Sequence, residues 1–137
     1  MLNDGEIKKM LSHTRTVAVV GISPKEDRPS HRVASYLKSK GYRILPIRPD
    51  GENILGEKVY RTLLEIPKEI KIDVVDIFRK SEEVPPIVEE AIQRGARVVW
   101  MQEGVIHPDA AAKAEKAGLR VVMDRCMKKE HERLVEP

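Results

Sequence analysis

Five short apolar runs recur along the chain, Thr16–Val20, Tyr42–Ile47, Ile72–Phe78, Arg97–Met101 and Leu119–Met123, and segments of helical spacing fall between them. The run from Thr16 is continuous and β-branched, as a strand buried on both faces requires. After it, Ser30 reads as the cap of a helix whose apolar face is Val33, Ala34 and Leu37 and whose end is Gly41. A further helix starts at Ser81 and runs to Arg94, with Pro85 and Pro86 in its first turn, where no intrahelical N–H is needed. An alanine-rich helix begins at His107-Pro108 and stops at Gly118. A leading helix over Asp4–His13 and a charged one over Met127–Leu134 complete the pattern. The stretch from Asn53 to Ile66 reads as loop, a short strand near Lys58 and a helical turn from Thr62.

Strands alternating with helices over short connections predict a parallel sheet covered on both faces, and right-handed crossovers leave few topologies. The fold class is therefore α/β, a three-layer Rossmann-like parallel sheet of about five strands, with the runs expected in spatial order 3-2-1-4-5. A chain of 137 residues fits one domain, 1–137, with a core of ordinary size. At 41% hydrophobic and 34% charged, it reads as soluble and globular. No apolar run approaches a membrane span, and Met1-Leu-Asn-Asp-Gly-Glu lacks the order of a signal peptide, so a cytoplasmic location is expected. With 25 basic against 22 acidic residues, interspersed, and 4% aromatics, nucleic acid is not an expected partner. The single cysteine, Cys126, excludes an internal disulfide, and four scattered histidines give no metal-ligand spacing.

In sheets of this kind ligands bind beyond the carboxyl ends of the strands, where the strand order reverses. The first such loop is Gly21-Ile-Ser-Pro-Lys-Glu-Asp-Arg-Pro-Ser30. Gly21 permits a sharp exit from the strand, Ser23 and the amides near Ser30 can donate to phosphate oxygens, and Lys25 and Arg28 add positive charge. An ordinary strand-to-helix turn with solvated cations fits the same residues. A dinucleotide fingerprint needs G-x-G-x-x-G and an acidic residue ending the second strand, but positions 23 and 26 are Ser and Glu, and the strand ends Ile47-Arg48-Pro49. A cation at Arg48 suits a ribose phosphate, which disfavours NAD and leaves NADP or a 3′-phosphorylated adenosine such as coenzyme A; Arg48 can equally face solvent. The P-loop and the G-x-S-x-G nucleophile elbow are both absent.

The loop after the third run, Phe78-Arg-Lys-Ser81, offers an aromatic wall and the cations Arg79 and Lys80, although Phe78 also suits a core position. After the fourth run, Gln102 and Glu103 can bond the amides or hydroxyls of a ligand, while Trp100 reads as core. Cys126 follows the fifth run, where it reads as a small hydrophobe or as a thiol near the ligand end of the sheet.

Taken together, Val17–Ser30 with its G-x-S-P turn and Arg-Pro-Ser, Ile54-Leu-Gly-Glu57, Asp73-Val-Val-Asp-Ile-Phe-Arg79, Val98-Val-Trp-Met-Gln102 and Val121-Val-Met-Asp-Arg-Cys-Met127 resemble the small stand-alone CoA-binding proteins. These are similar to the N-terminal domain of the succinyl-CoA synthetase alpha subunit. The resemblance spans about Ile7 to Leu134 and implies a domain that holds coenzyme A with its first glycine loop at the phosphates. It places Gly21, Ile22 and Ser23 in that loop, Arg28 and Ser30 at its end, Phe78 and Arg79 in the third-strand contact, and Met101, Gln102 and Glu103 in the fourth. The synthetase's phosphorylated histidine belongs to another domain, so a binding protein rather than an enzyme is implied. The family's usual Pro-Val-Asn-Pro is Pro46-Ile-Arg-Pro49 here, and the role of Arg48 rests on charge and location alone. Coenzyme A or an acyl-CoA is thus the expected ligand, with a homo-oligomer or an acyl-CoA enzyme as a possible protein partner. The alternatives are an NADP-dependent oxidoreductase or a regulatory module for an acyl-CoA enzyme. A third reading takes Cys126, placed after the fifth run, as a thiol that forms a mixed disulfide with the coenzyme thiol.

Overall fold

The computed structural model describes residues 1–136. Its main sheet contains β1 (Thr16–Val20), β2 (Arg43–Ile47), β5 (Val74–Ile77), β6 (Val98–Met101) and β7 (Arg120–Val122), and a hairpin of β3 (Asn53–Ile54) and β4 (Glu57–Lys58) lies apart from it. All pairings in the main sheet are parallel. The helices are α1 (Asp4–His13), α2 (Pro29–Ser39), α3 (Val84–Gln93), α4 (Pro108–Lys116) and α5 (Met127–Leu134). One sheet face packs against α1, α2 and α5 through Ile7, Leu11, Val33, Leu37 and Met127. The other packs against α3 and α4 through Val84, Val88, Ala91, Ala110 and Ala114. Among the described residues, no helix is long and apolar enough to cross a membrane.

The order is β2-β1-β5-β6-β7, so the five predicted runs stand as 2-1-3-4-5 and the expected 3-2-1-4-5 is corrected. Pro46 supplies the physical reason. A proline cannot donate to a ladder, which confines it to an edge strand. The outward-facing carbonyl of Pro46 accepts from Tyr60 N at 3.0 Å, and Arg48 N donates to Tyr60 O at 3.0 Å, so a short crossing segment rather than a full strand covers that edge. The third run, with no proline and every residue of β5 buried, takes the central place beside β1. The strand order therefore reverses between β1 and β5.

The start of α2 also differs from expectation. Arg28 is the N-cap residue, without a side-chain capping bond, Pro29 is the first helical residue and Ser30 the second. Proline's fixed φ suits that first position, which displaces the serine into the helix. The 3-10 turn at Leu63–Glu65 answers the helical turn expected after Thr62. It is tied to α3 by Arg94, whose guanidinium donates to the carbonyls of Leu63, Ile66, Pro67 and Ile70.

Candidate functional site

The connections leaving β1 and β5 run in opposite directions, and their first residues are in close contact. Gly21 has φ +88°, and an added Cβ would lie 2.3 Å from the carbonyl oxygen of Phe78 and 2.7 Å from Cδ of Arg79. Phe78 N donates to Val20 O at 2.8 Å and Gly21 N to Ile47 O at 2.9 Å, which holds the three strand ends level. Only glycine satisfies both the backbone angle and the space.

Two hollows open from this point, and Gly21, Arg79 and Glu83 border both. The larger, about 710 Å³, lies over α2 and is walled by Pro29, Val33, Phe78, Gln102, Val105 and Cys126. The smaller, about 490 Å³, is lined by Arg48, Pro49, Arg61 and Thr62. A hollow at the opposite, amino edge of the sheet, beside His13 and Arg120, measures about 290 Å³, less than half of the first.

The glycine loop braces itself. Ser23 N donates to Ser30 Oγ at 2.9 Å, Lys25 N to Ser23 Oγ at 3.1 Å and Arg28 N to Lys25 O at 3.1 Å. Ser30 is thus buried as an internal acceptor for the loop. The first-turn amides of Ser30 and His31 have no acceptor within the helix, and the α2 dipole makes that end favourable to anions. The side chains of Lys25, Arg28 and Lys80 make no ion pair among the described residues, and all three are exposed.

Other polar groups are already engaged. Arg48 donates from Nη1 to Ile22 O at 3.0 Å and from Nε to Asp50 Oδ1 at 2.8 Å, which pins the β2 exit to the glycine loop. Arg79 and Glu83 pair at 2.7 Å, and this hydrogen bond holds the Glu83 carboxyl below its usual range and raises the guanidinium. Glu103 pairs with Lys129 at 3.0 Å, a bond that raises the lysine. Gln102 is 4% exposed; its Oε1 accepts from Met127 N at 3.1 Å, while Nε2 has no protein partner among the described residues.

Of the residues expected from the sequence, Gly21, Phe78, Arg79, Gln102 and Glu103 border the larger hollow, and Gly21, Arg48 and Arg79 the smaller. Ser23, Lys25, Arg28 and Ser30 form the adjacent loop and helix entry without lining either hollow. The side chains of Ile22 and Met101 are buried in the cores on opposite faces of the sheet. The walls Pro29, Val33 and Val105 had no signal in the sequence beyond their apolar character. Asp76 did carry one, an acid inside the run Val74-Val-Asp-Ile77. It is fully buried on the α2 side of β5, one pleat below Phe78, with neither oxygen hydrogen-bonded, and burial pushes its carboxyl well above the ordinary 3.8.

The sequence matches the CoA binding domain family over residues 15–132, which includes every strand of the sheet. The chain belongs to this family. An uncharacterized protein of Bacillus subtilis is 38% identical over 126 residues, with 92% of each chain covered. An ADP-forming acetate–CoA ligase of Archaeoglobus fulgidus is 30% identical over 89 residues, which cover 64% of this chain but 13% of the ligase. Among solved structures, a hypothetical protein from Pyrococcus horikoshii superimposes with a TM-score of 0.93 at 43% identity, over 98% of this chain and 93% of that one. The chain thus matches small relatives over nearly their whole length and much larger ligases over one domain.

Proposed function

We propose that this protein binds coenzyme A, free or acylated, across the carboxyl edge of its sheet, as a ligand-binding domain without catalysis of its own. The observation that carries this reading is the close approach of Gly21 to Phe78, which lets the N-terminus of α2 open onto a cleft with cations at its rim and apolar walls inside. In this reading the diphosphate meets the first-turn amides of α2 with Lys25 and Arg28 beside them. The 3′-phosphate meets Arg48, exchanging with the Asp50 carboxylate, because a doubly charged phosphate attracts the guanidinium more strongly. The aliphatic arm runs between Pro29, Val33 and Phe78 toward Gln102 and Glu103.

Isothermal titration with coenzyme A, NADPH and NAD tests the reading. Heat with coenzyme A alone is expected, and none at about millimolar ligand, a binding free energy near 4 kcal/mol, overturns it. Coenzyme A lacking its 3′-phosphate should bind more weakly, and Arg48→Ala should abolish that difference.

A further inference from the structure

On the α2 side of the sheet the side chains stand in rows across the strands. Val19, Asp76 and Trp100 are partners in register and form one row, with Val122 at its end. Two residues further along each strand stand Gly21, Phe78 and Gln102, and all three border the larger cleft. Asp76 therefore lies immediately beneath the cleft floor. It is 0% exposed, and neither of its carboxyl oxygens has a hydrogen-bond partner among the described residues. Its own row offers none. Val19 and Val122 are apolar, and the indole N–H of Trp100 is already donated to Arg125 O at 2.7 Å, where the chain crosses back over the end of β6. A bridging water, which needs roughly two to four polar partners, fits these neighbours no better. Along β5 only Phe78 stands between Asp76 and the cleft; its side chain is half-buried, and Gly21 beside it brings no side chain to the floor.

A buried polar group without a partner is costly, and a ligand group that pairs with it relieves the cost. Burial alone acts on this carboxyl and favours its protonated form, which presents an O–H donor. The matching ligand group is an acceptor at the far end of the aliphatic arm. The sulfur of free coenzyme A is a weak acceptor, whereas a thioester carries a carbonyl oxygen there.

We propose that Asp76 recognises the acyl group in this cleft, donating a hydrogen bond to the thioester carbonyl oxygen of a short acyl-CoA once the Phe78 ring turns aside. The inference rests on the coenzyme A reading of the site and narrows it to the acylated form. The acyl chain then lies over Val19, Val33 and Trp100, in the space the Phe78 ring leaves.

The test is isothermal titration of the whole chain with acetyl-CoA, free coenzyme A and S-ethyl-coenzyme A, a thioether of the same length without the carbonyl. Acetyl-CoA should bind about tenfold more tightly than the thioether, the scale of one buried hydrogen bond. Asp76→Val, which removes the donor, should erase that difference, and Asp76→Asn, which keeps an N–H donor, should retain it. The infrared carbonyl stretch of bound, isotope-labelled acetyl-CoA should move to lower frequency in the unaltered protein and stay in place in Asp76→Val. Equal affinity for acetyl-CoA and the thioether in the unaltered protein, a comparison that needs no variant, overturns the role of Asp76 and leaves the coenzyme A reading intact. A preference that persists in Asp76→Val overturns that role as well. Failure of all three ligands to bind overturns both.

Discussion

The two faces of the sheet are built from alternate residues of the same strands, yet they differ in kind. Toward α3 and α4 the core is apolar throughout, with Val75, Ile77, Val99 and Met101 meeting valines and the small alanines of α4. Toward α1, α2 and α5 the interior also holds Ser30, His31, Asp76, Gln102 and His131. The Tyr42 hydroxyl donates to Leu11 O at 2.7 Å, and Tyr36 Oη lies 2.8 Å from His131 Nδ1. The candidate cleft opens on this polar side. A core face made only of methyl groups resists rearrangement because any polar intruder lacks a partner. A face with oriented polar groups can present donors to a ligand, and it tolerates one costly member, Asp76, directly below the cleft floor.

The comparison breaks most severely at Gly21. Gly21→Ala should abolish coenzyme A binding by calorimetry and cost about 1–3 kcal/mol in urea unfolding through backbone strain, with the collision against Phe78 added. Gly118→Ala, with a similar φ of +93° and nothing within 4 Å, should show the strain alone and leave binding unchanged. If both variants behave alike, crowding between β1 and β5 does not define the site.

On the apolar face, Val88→Ala should cost about 1–3 kcal/mol of stability while coenzyme A affinity stays within about twofold, a change of about 0.4 kcal/mol. A large loss of affinity would show that the faces are not separable.

On the polar face, Asp76→Asn should raise stability at neutral pH by about 1–3 kcal/mol, since it removes an unpaired buried acid. The sign follows from the raised carboxyl. Folded Asp76 keeps its proton above the ordinary 3.8, so its favourable contribution is present in acid and is lost as pH rises through the higher folded value. Urea curves at several pH values should therefore show the two proteins converging in acid and diverging toward alkali.

Arg28→Ala should weaken coenzyme A about three- to tenfold, the scale of one exposed charge-assisted contact; unchanged affinity removes Arg28 from the site. The smallest effect is expected at His131, where burial lowers the imidazole below the ordinary 6.5. Its contribution is present above that value and lost as the pH falls, so His131→Gln should flatten the acid side of the stability profile.

The helices and strands were legible because their periodicities are local, and the Thr16–Val20 run, the Pro85-Pro86 first turn and the His107-Pro108 entry stand where the sequence places them. His107 caps α4, its Nδ1 accepting from Ala110 N at 3.0 Å. Strand order was less legible. Pro46 carried the information, since a proline marks an edge, but its meaning depends on which neighbour the missing N–H faces. In the candidate site, Gly21, Arg48, Phe78, Arg79, Gln102 and Glu103 converge on the hollows. The bonds that already occupy Arg48 and Ser30 join residues that are distant in the chain or sit across a turn, and the sequence does not reveal them.

By itself, the sequence determined the α/β class, the single glycine turn and the resemblance to coenzyme A-binding proteins, because each is written in contiguous residues. Only the tertiary structure decided that β5 lies beside β1, that Asp76 is sealed without a partner and that Cys126 returns over β6 to the cleft. Those outcomes depend on long-range backbone pairing, where one hydrogen-bonded crossing changes which side chains share a wall.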